Sequence, residues 1–267
     1  MIIDSHTHLD NVINDKSSNE ERLKSLLVNM KTNKVEHALV LADVESLPHE
    51  KFMTNEELAK LIWPYSNLHL IGKVPLKSAK NSKYLKKIRD LIKEKIMLGI
   101  KLYPGYENFY PQDKIYNKVY DICEEFDVPV MIHSGDVMDK GFLKYARPLN
   151  VDELANNRPE LKIIICHMGN PWVLDTAAVT SKNKNVYADT SGLFYKNLTP
   201  KIKKFLENKI EEFIQWNEHG EKLIFGSDWP ITSIKDSISL IRDLPHFSEK
   251  EKEMIFHKNA KRLFKIK

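Results

Sequence analysis

Short, nearly unbroken apolar runs alternate along the chain with longer amphipathic stretches, and the alternation repeats eight times. Runs at 2–8, 36–43, 68–76, 96–103, 128–134, 161–168, 185–191 and 222–227 are short and mostly apolar, so they read as strands buried on both faces. Helix signals lie between them. Ser18 with Glu21 forms a capping box that opens a helix through Val35, Thr54 with Glu57 repeats the device, and 82–95 and 113–126 read as further helices, the first basic and amphipathic. Thr199 as N-cap, Pro200 in the first turn and Gly220 past the end delimit a long helix. Two more follow, the second opened by Ser248 and Glu251. Pro129 sits at the start of its strand, where a missing N–H is tolerated.

Doubly buried strands separated by helices describe a parallel sheet covered by helices, and eight is the number that closes a barrel. A (β/α)8 TIM barrel is expected, as a single α/β domain over 1–267 at about 33 residues per unit. No repeat, linker or low-complexity stretch marks a second domain. An open doubly wound sheet is the alternative. It calls for a Gly-rich turn after the first strand, where this chain has His8, Leu9, Asp10 and Asn11.

Placed on a barrel, six polar residues fall at the C-terminal ends of strands, where barrel active sites are built. They are His6 and His8 on strand one, Lys101 on strand four, His133 on strand five, His167 on strand six and Asp228 after strand eight. Side-chain alternation puts Asp4, His6 and His8 on one face with Thr7 turned away. It likewise groups Ile163, Ile165 and His167, and Ile224, Gly226 and Asp228, so these groups converge on the mouth. The other histidines read as structural: His37 and His69 begin strands, His219, His246 and His257 fall in or beside helices, and His49 lies in a loop on the mouth side.

Composition narrows the function classes. The 41 basic and 37 acidic residues leave a net charge of +4, without the concentrated basic face of a nucleic-acid binder. The two cysteines, Cys123 and Cys166, have no partner at motif spacing, which fits a reduced cytoplasmic setting. No apolar run reaches the roughly 18 residues of a membrane span. A soluble, cytosolic protein acting on a small molecule is expected, with neither nucleic acid nor membrane as partner and a homodimer left open.

Neutral imidazoles and a carboxylate suit a borderline divalent ion such as zinc, whose open coordination positions let bound water lose a proton near neutral pH. A metal hydroxide is the implied nucleophile, and Asp228 is placed to hold the proton and return it to the leaving group. Lys101 is the odd member. An ammonium beside divalent cations must be neutralised, face an anion, or react with carbon dioxide to become a carbamate that bridges two metals.

The same residues carry a resemblance. HTH at His6 to His8, HMG at His167 to Gly169, GSDWP at Gly226 to Pro230 and NAKRLF at Asn259 to Phe264 resemble the motif set of the amidohydrolase superfamily, and most of all its amidohydrolase-2 branch. The resemblance spans the chain and implies metal-dependent hydrolysis of C–N or C–O bonds or, in one subgroup, decarboxylation. KLYP at Lys101 to Pro104 is similar to dihydroorotase, whose lysine is a carboxylated bridge, although Leu9 and Asp10 stand where that enzyme has a carboxylate-binding arginine. TatD-like deoxyribonucleases share the HTHLD opening but supply a glutamate where this chain has Lys101, and the polymerase and histidinol phosphatase family has an SDG that is missing here. The bridged reading places His6, His8 and Asp228 on one ion and His133 and His167 on another, with carboxylated Lys101 between. Resemblance to aminocarboxymuconate semialdehyde decarboxylase instead implies one zinc on His6, His8, His133 and Asp228, with His167 as acid or base.

The expectation is a metal-dependent hydrolase of an amide, lactone or ester, with a zinc-dependent decarboxylase as the alternative and a non-catalytic metal-binding barrel behind both. Asp228 and His167 are the catalytic candidates, and one or two divalent ions, zinc in the first instance, the cofactor. For the pocket walls, Tyr103, Tyr106, Trp172 and Trp229 would ring the mouth, and Arg147, beside Lys144 and Tyr145, would hold an anionic substrate group.

Overall fold

The computed structural model describes the chain apart from residues 12–15, 45–51, 138–140, 196 and 218–219. Eight parallel strands follow one another in spatial order: β1 Ile3–His8, β2 His37–Leu41, β3 Leu68–Lys73, β4 Met97–Leu102, β5 Val130–Ile132, β6 Ile163–Ile165, β7 Val186–Asp189 and β8 Leu223–Ile224. The ring closes beyond β8, where Ser5 N–H donates to the Phe225 carbonyl (2.9 Å), Asp228 N–H to His6 (2.8 Å) and His8 N–H to Trp229 (2.8 Å). A (β/α)8 barrel results, as the alternation of runs predicts.

The helices are α1 Asn19–Asn33, α2 Asn55–Ile62, α3 Ser82–Lys93, α4 Asn117–Phe126, α5 Asn150–Asn157, α6 Val173–Lys182, α7 Pro200–Trp216, α8 Ile234–Arg242, α9 Glu249–Glu253 and α10 Asn259–Phe264. The capping boxes at Ser18, Thr54 and Ser248 all form, each satisfying N–H groups that a helix start leaves open and each worth about 1 kcal/mol. Among the described residues no helix is long and apolar enough to cross a membrane. His49 and His219 lie outside the described residues.

Two apolar layers separate inside from outside. Ile3, Leu39, Leu41, Ile71, Met131, Ile164, Cys166 and Ile224 fill the barrel and meet Ala260, Leu263 and Phe264 of α10. The alternate strand residues, among them Ala38, Val40, Ile163 and Ile165, pack outward against the helices. The floor is therefore apolar and only the mouth is polar.

Two parity expectations fail, for different reasons. On β6 the inward residues are Ile164 and Cys166, while Ile163 and Ile165 face the helices. The strand ends early, and Cys166–Gly169 coils into a tight turn in which His167 (φ 59°) and Met168 (φ 48°) are left-handed. That turn, not alternation, swings His167 over the mouth. On β1, Asp4 pairs with Ala38 but Thr7 with Val40, so one extra residue bulges between them and inverts the face. Ile3 shares the interior with His8, and Asp4 falls on the helix side of the pairing.

Candidate active site

His6 and His8 are buried on the rigid first strand, and each is gripped from behind by a carboxylate. His6 Nδ1 lies 2.9 Å from Asp189 Oδ2 at the end of β7, and His8 Nδ1 lies 2.8 Å from Asp43 Oδ2, two residues past β2. A carboxylate only accepts, so both Nδ1 atoms carry a proton, and each ring when neutral presents its lone pair at Nε2. These lone pairs converge on Asp228, whose Oδ1 is 3.5 Å from His6 Nε2 and 3.1 Å from His8 Nε2. His6 Nε2 is buried with no hydrogen-bond partner among the described residues. Two backed imidazoles and a carboxylate facing one point form a donor set that suits a divalent ion.

The electrostatics agree. Burial, with the Lys101 charge adding to it, lowers His6 to about 4, so it is a neutral donor. Burial also opposes charge on His8, but Asp43 and Asp228 outweigh it and raise that imidazole to about 10. In the absence of metal a proton fills the His8–Asp228 contact, where an ion competes for the same lone pair. Burial works against the carboxylates too, yet the surrounding histidines hold Asp228 and Asp189 well below the usual range.

His133, just past β5, and His167 complete an arc of rings whose neighbouring centroids are 4.9–5.1 Å apart. His133 Nε2 is 3.0 Å from the Asp136 carbonyl, and His167 Nδ1 is 3.2 Å from the Ser191 carbonyl, so those nitrogens donate. The lone pairs of His133 Nδ1 and His167 Nε2 then face each other at 3.1 Å, a contact that needs a proton or a cation between them. Burial lowers the pKa of both rings, which disfavours the proton. His6, His167 and Asp228 each offer a ligand atom within 4.8 Å of the others, joining the two halves of the arc.

The backbone makes room for this crowding. Gly192 is left-handed (φ 59°), and a Cβ there would lie 2.7 Å from His167 Nδ1 and 2.8 Å from Asp228 Oδ2. Ser191, before it, accepts from His167 Nδ1 at 2.8 Å and donates through its hydroxyl to Asp189 Oδ1. Asp189 Oδ1 also takes the N–H groups of His167 (2.8 Å) and Ser191 (3.0 Å).

Lys101 reaches the same cavity but spends its ammonium on Cys166 Sγ, 2.9 Å away, and lies 5.1 Å over the Tyr103 ring. Tyr103 in turn donates to the Ala42 carbonyl (2.8 Å) and to Asp43 Oδ1 (3.0 Å), fixing the carboxylate behind His8.

The site opens into a cavity of about 590 Å³ that takes in all six convergent residues and is walled by Phe52, Tyr103, Tyr106, Leu193, Phe194 and Tyr195. The proposed walls need correction. Arg147 is paired with Asp175 (3.0 Å) and stacked on Trp172 (5.1 Å), and neither lines the cavity. Trp229 also lies off the wall: it is buried against the barrel rim, with its carbonyl bonded to His8 N–H. Asp43, Asp189 and Ser191 are contributors that the sequence reading missed. All three stand at or just past strand ends, the position that singled out Asp228, but without a histidine or a motif beside them to mark them.

The amidohydrolase family model matches residues 3–266. No curated protein sequence matches the chain. Similar solved structures include an uncharacterized TIM-barrel protein from Bordetella bronchiseptica, at 19% identity and TM-score 0.77 over 98% of this chain and 97% of that one. A probable 2-pyrone-4,6-dicarboxylic acid hydrolase from Acinetobacter baumannii matches at 18% identity and TM-score 0.72 over 99% of both chains. A 5-carboxyvanillate decarboxylase from Novosphingobium aromaticivorans, complexed with manganese, matches at 14% identity and TM-score 0.72 over 100% of this chain and 96% of that one. At such identities structural likeness carries the fold alone, whereas the family model spans nearly every residue: the chain belongs to the amidohydrolase family.

Proposed function

We propose that this chain is a metal-dependent hydrolase of C–N or C–O bonds in a small organic substrate. The observation that carries the reading is the pair of carboxylate-backed imidazoles whose Nε2 lone pairs converge on Asp228. His6, His8 and Asp228 would hold the ion, with His167 within reach, and the N and O donors favour zinc, although manganese suits them as well. When bound, a divalent ion there supplies Lewis acidity and acidifies water.

The protein's own groups do the rest. Asp189 and Asp43 fix the tautomers and ring orientations of His6 and His8. Asp228 can take a proton at its carboxylate and pass it to a leaving nitrogen or oxygen. His167, with Nδ1–H tied to Ser191, holds Nε2 against His133 Nδ1, where the pair can share a proton as a second carrier. Phe52, Phe194 and the tyrosines exclude bulk water and offer flat apolar faces to the substrate.

Decarboxylation is the second reading, favoured by one feature: Lys101 is the single Lys or Arg among the described cavity-lining residues and is placed to attract a substrate carboxylate. This second reading takes Lys101 as an unmodified amine, its Nζ bonded to Cys166 Sγ. Metal-loaded protein should be screened with lactones, cyclic amides, esters and carboxylated aromatics in 18O-labelled water. Label in the product supports hydrolysis. Carbon dioxide released without label establishes the lyase.

A further inference from the structure

Two buried groups take no part in the proposed hydrolysis and touch each other. Lys101 is 1% exposed and Cys166 fully buried, yet Nζ and Sγ are 2.9 Å apart, closer than nitrogen and sulfur approach without a bond to hydrogen between them. They come from β4 and the turn after β6, on either side of β5, 65 positions apart in sequence. Lys101 lines the open cavity, whereas Cys166 does not, so a small solute meets the pair at the lysine.

We propose that Lys101 and Cys166 are a modification site: peroxide joins Nζ to Sγ in a reversible covalent link that locks the floor of the cavity. In the first step the Cys166 thiol and one hydrogen peroxide give a sulfenic acid and one water. In the second, the Lys101 ammonium gives one proton to solvent, the freed Nζ lone pair attacks Sγ, the S–O bond breaks, and the departing hydroxide takes a second proton from Nζ and leaves as water. Sulfur is oxidised by two electrons, the peroxide is reduced to two waters, and the protein loses two hydrogens. A thiol reductant reverses the link by attacking sulfur and returning the amine.

The geometry decides the product. A sulfenic acid ordinarily waits for a second thiol or is oxidised further. Here the amine is already in contact with the sulfur and lies over the Tyr103 ring, so it is the nearest nucleophile at high effective concentration. Cys123 is equally buried, on α4, and serves as an internal control. The proposal does not depend on which reaction the site catalyses, but it does require Lys101 as a free amine.

The test uses the full chain, metal-free, under graded hydrogen peroxide, followed by intact and peptide mass spectrometry. The expected product is two hydrogens lighter, yields one peptide pair joined through Lys101 and Cys166, and reverts with dithiothreitol. It should be absent in Cys166→Ser and in Lys101→Arg, both checked for folding by circular dichroism. Because the link closes a long loop, the melting temperature of the treated wild type should rise and then fall back on reduction. Cys166 carrying two or three oxygens without a link would overturn the proposal. So would a Cys123–Cys166 disulfide, or an unchanged Cys166 in protein whose exposed Met1 has oxidised.

Discussion

Replacing Asp189 by asparagine should damage metal binding far more than the same change at Asp43, although each carboxylate supports one histidine. Asp189 Oδ1 receives three donors, the N–H groups of His167 and Ser191 and the Ser191 hydroxyl, while Oδ2 receives His6 Nδ1–H. An asparagine must turn its oxygen toward the three donors, which sets its NH2 against His6 Nδ1–H. Relief comes by moving the His6 proton to Nε2, and that removes the lone pair aimed at the ion. At Asp43 the balance is one donor per oxygen, Tyr103 OH at 3.0 Å and His8 Nδ1–H at 2.8 Å. An asparagine there can keep its oxygen on His8, because the Tyr103 hydroxyl can accept from NH2 while still donating to the Ala42 carbonyl. Loss of an outer-shell partner costs about 10–100-fold in affinity. Asp43→Asn should fall near tenfold, about 1.4 kcal/mol, and Asp189→Asn at or beyond 100-fold, about 2.7 kcal/mol. Chelator competition with zinc and with manganese on stripped protein measures both, with melting curves to confirm folding. Equal losses, or a larger loss at Asp43, would refute the tautomer argument.

Other expectations are as direct. One tightly held ion per chain is expected, unchanged in Lys101→Ala; two ions that drop in that variant, with partial rescue by short-chain carboxylic acids, would establish a carboxylated bridge instead. Gly192→Ala should leave the barrel folded but abolish tight metal binding, since its Cβ would press on His167 Nδ1 and Asp228 Oδ2; wild-type affinity in this variant would show that the arc is looser than drawn. Burial raises Glu107 to about 7, so the folded state favours its protonated form. The stability this contributes is full below the unfolded value of about 4.5 and is lost as pH rises through about 7. Glu107→Gln should therefore melt a few degrees above wild type at pH 8 and close to it at pH 4.5, and parallel melting curves across that range would contradict the assignment.

The barrel was legible because its signal is repeated. Eight apolar runs at regular spacing, with capping boxes between several of them, leave little freedom in the topology, and errors of two or three residues at each strand end do not change it. Observed strands are shorter than the runs because buried residues continue past the last ladder bond into the turns that build the mouth. That is also why His133, His167 and Asp228 were identifiable while their geometry was not: each lies beyond its strand, and His167 and Asp228 owe their directions to left-handed backbone that alternation cannot foresee. The bulge in β1 is a similar case. His6 and His8 keep the expected face only because one residue is inserted between Asp4 and Thr7.

What the sequence hid most thoroughly is the layer behind the ligands. Asp43 and Asp189 close runs that read as ordinary buried strands, EHALVLAD and NVYAD, and a lone acidic residue at a strand end carries little signal by itself. Its meaning comes from registry around the ring. β2 neighbours β1, so the carboxylate two residues past β2 meets His8, and β7 stands two strands from β1 across the closure, so its terminal carboxylate reaches behind His6. A buried carboxylate is expensive unless it is fully bonded, and each of these is held by donors on both oxygens. The same bonds that make those charges tolerable fix the protons on Nδ1, and it is the fixed protons that turn two strand histidines into paired donors. Stability of the mouth and readiness for an ion are thus one network, which is why the Asp189 and Asp43 variants separate the tautomer's contribution from the fold's.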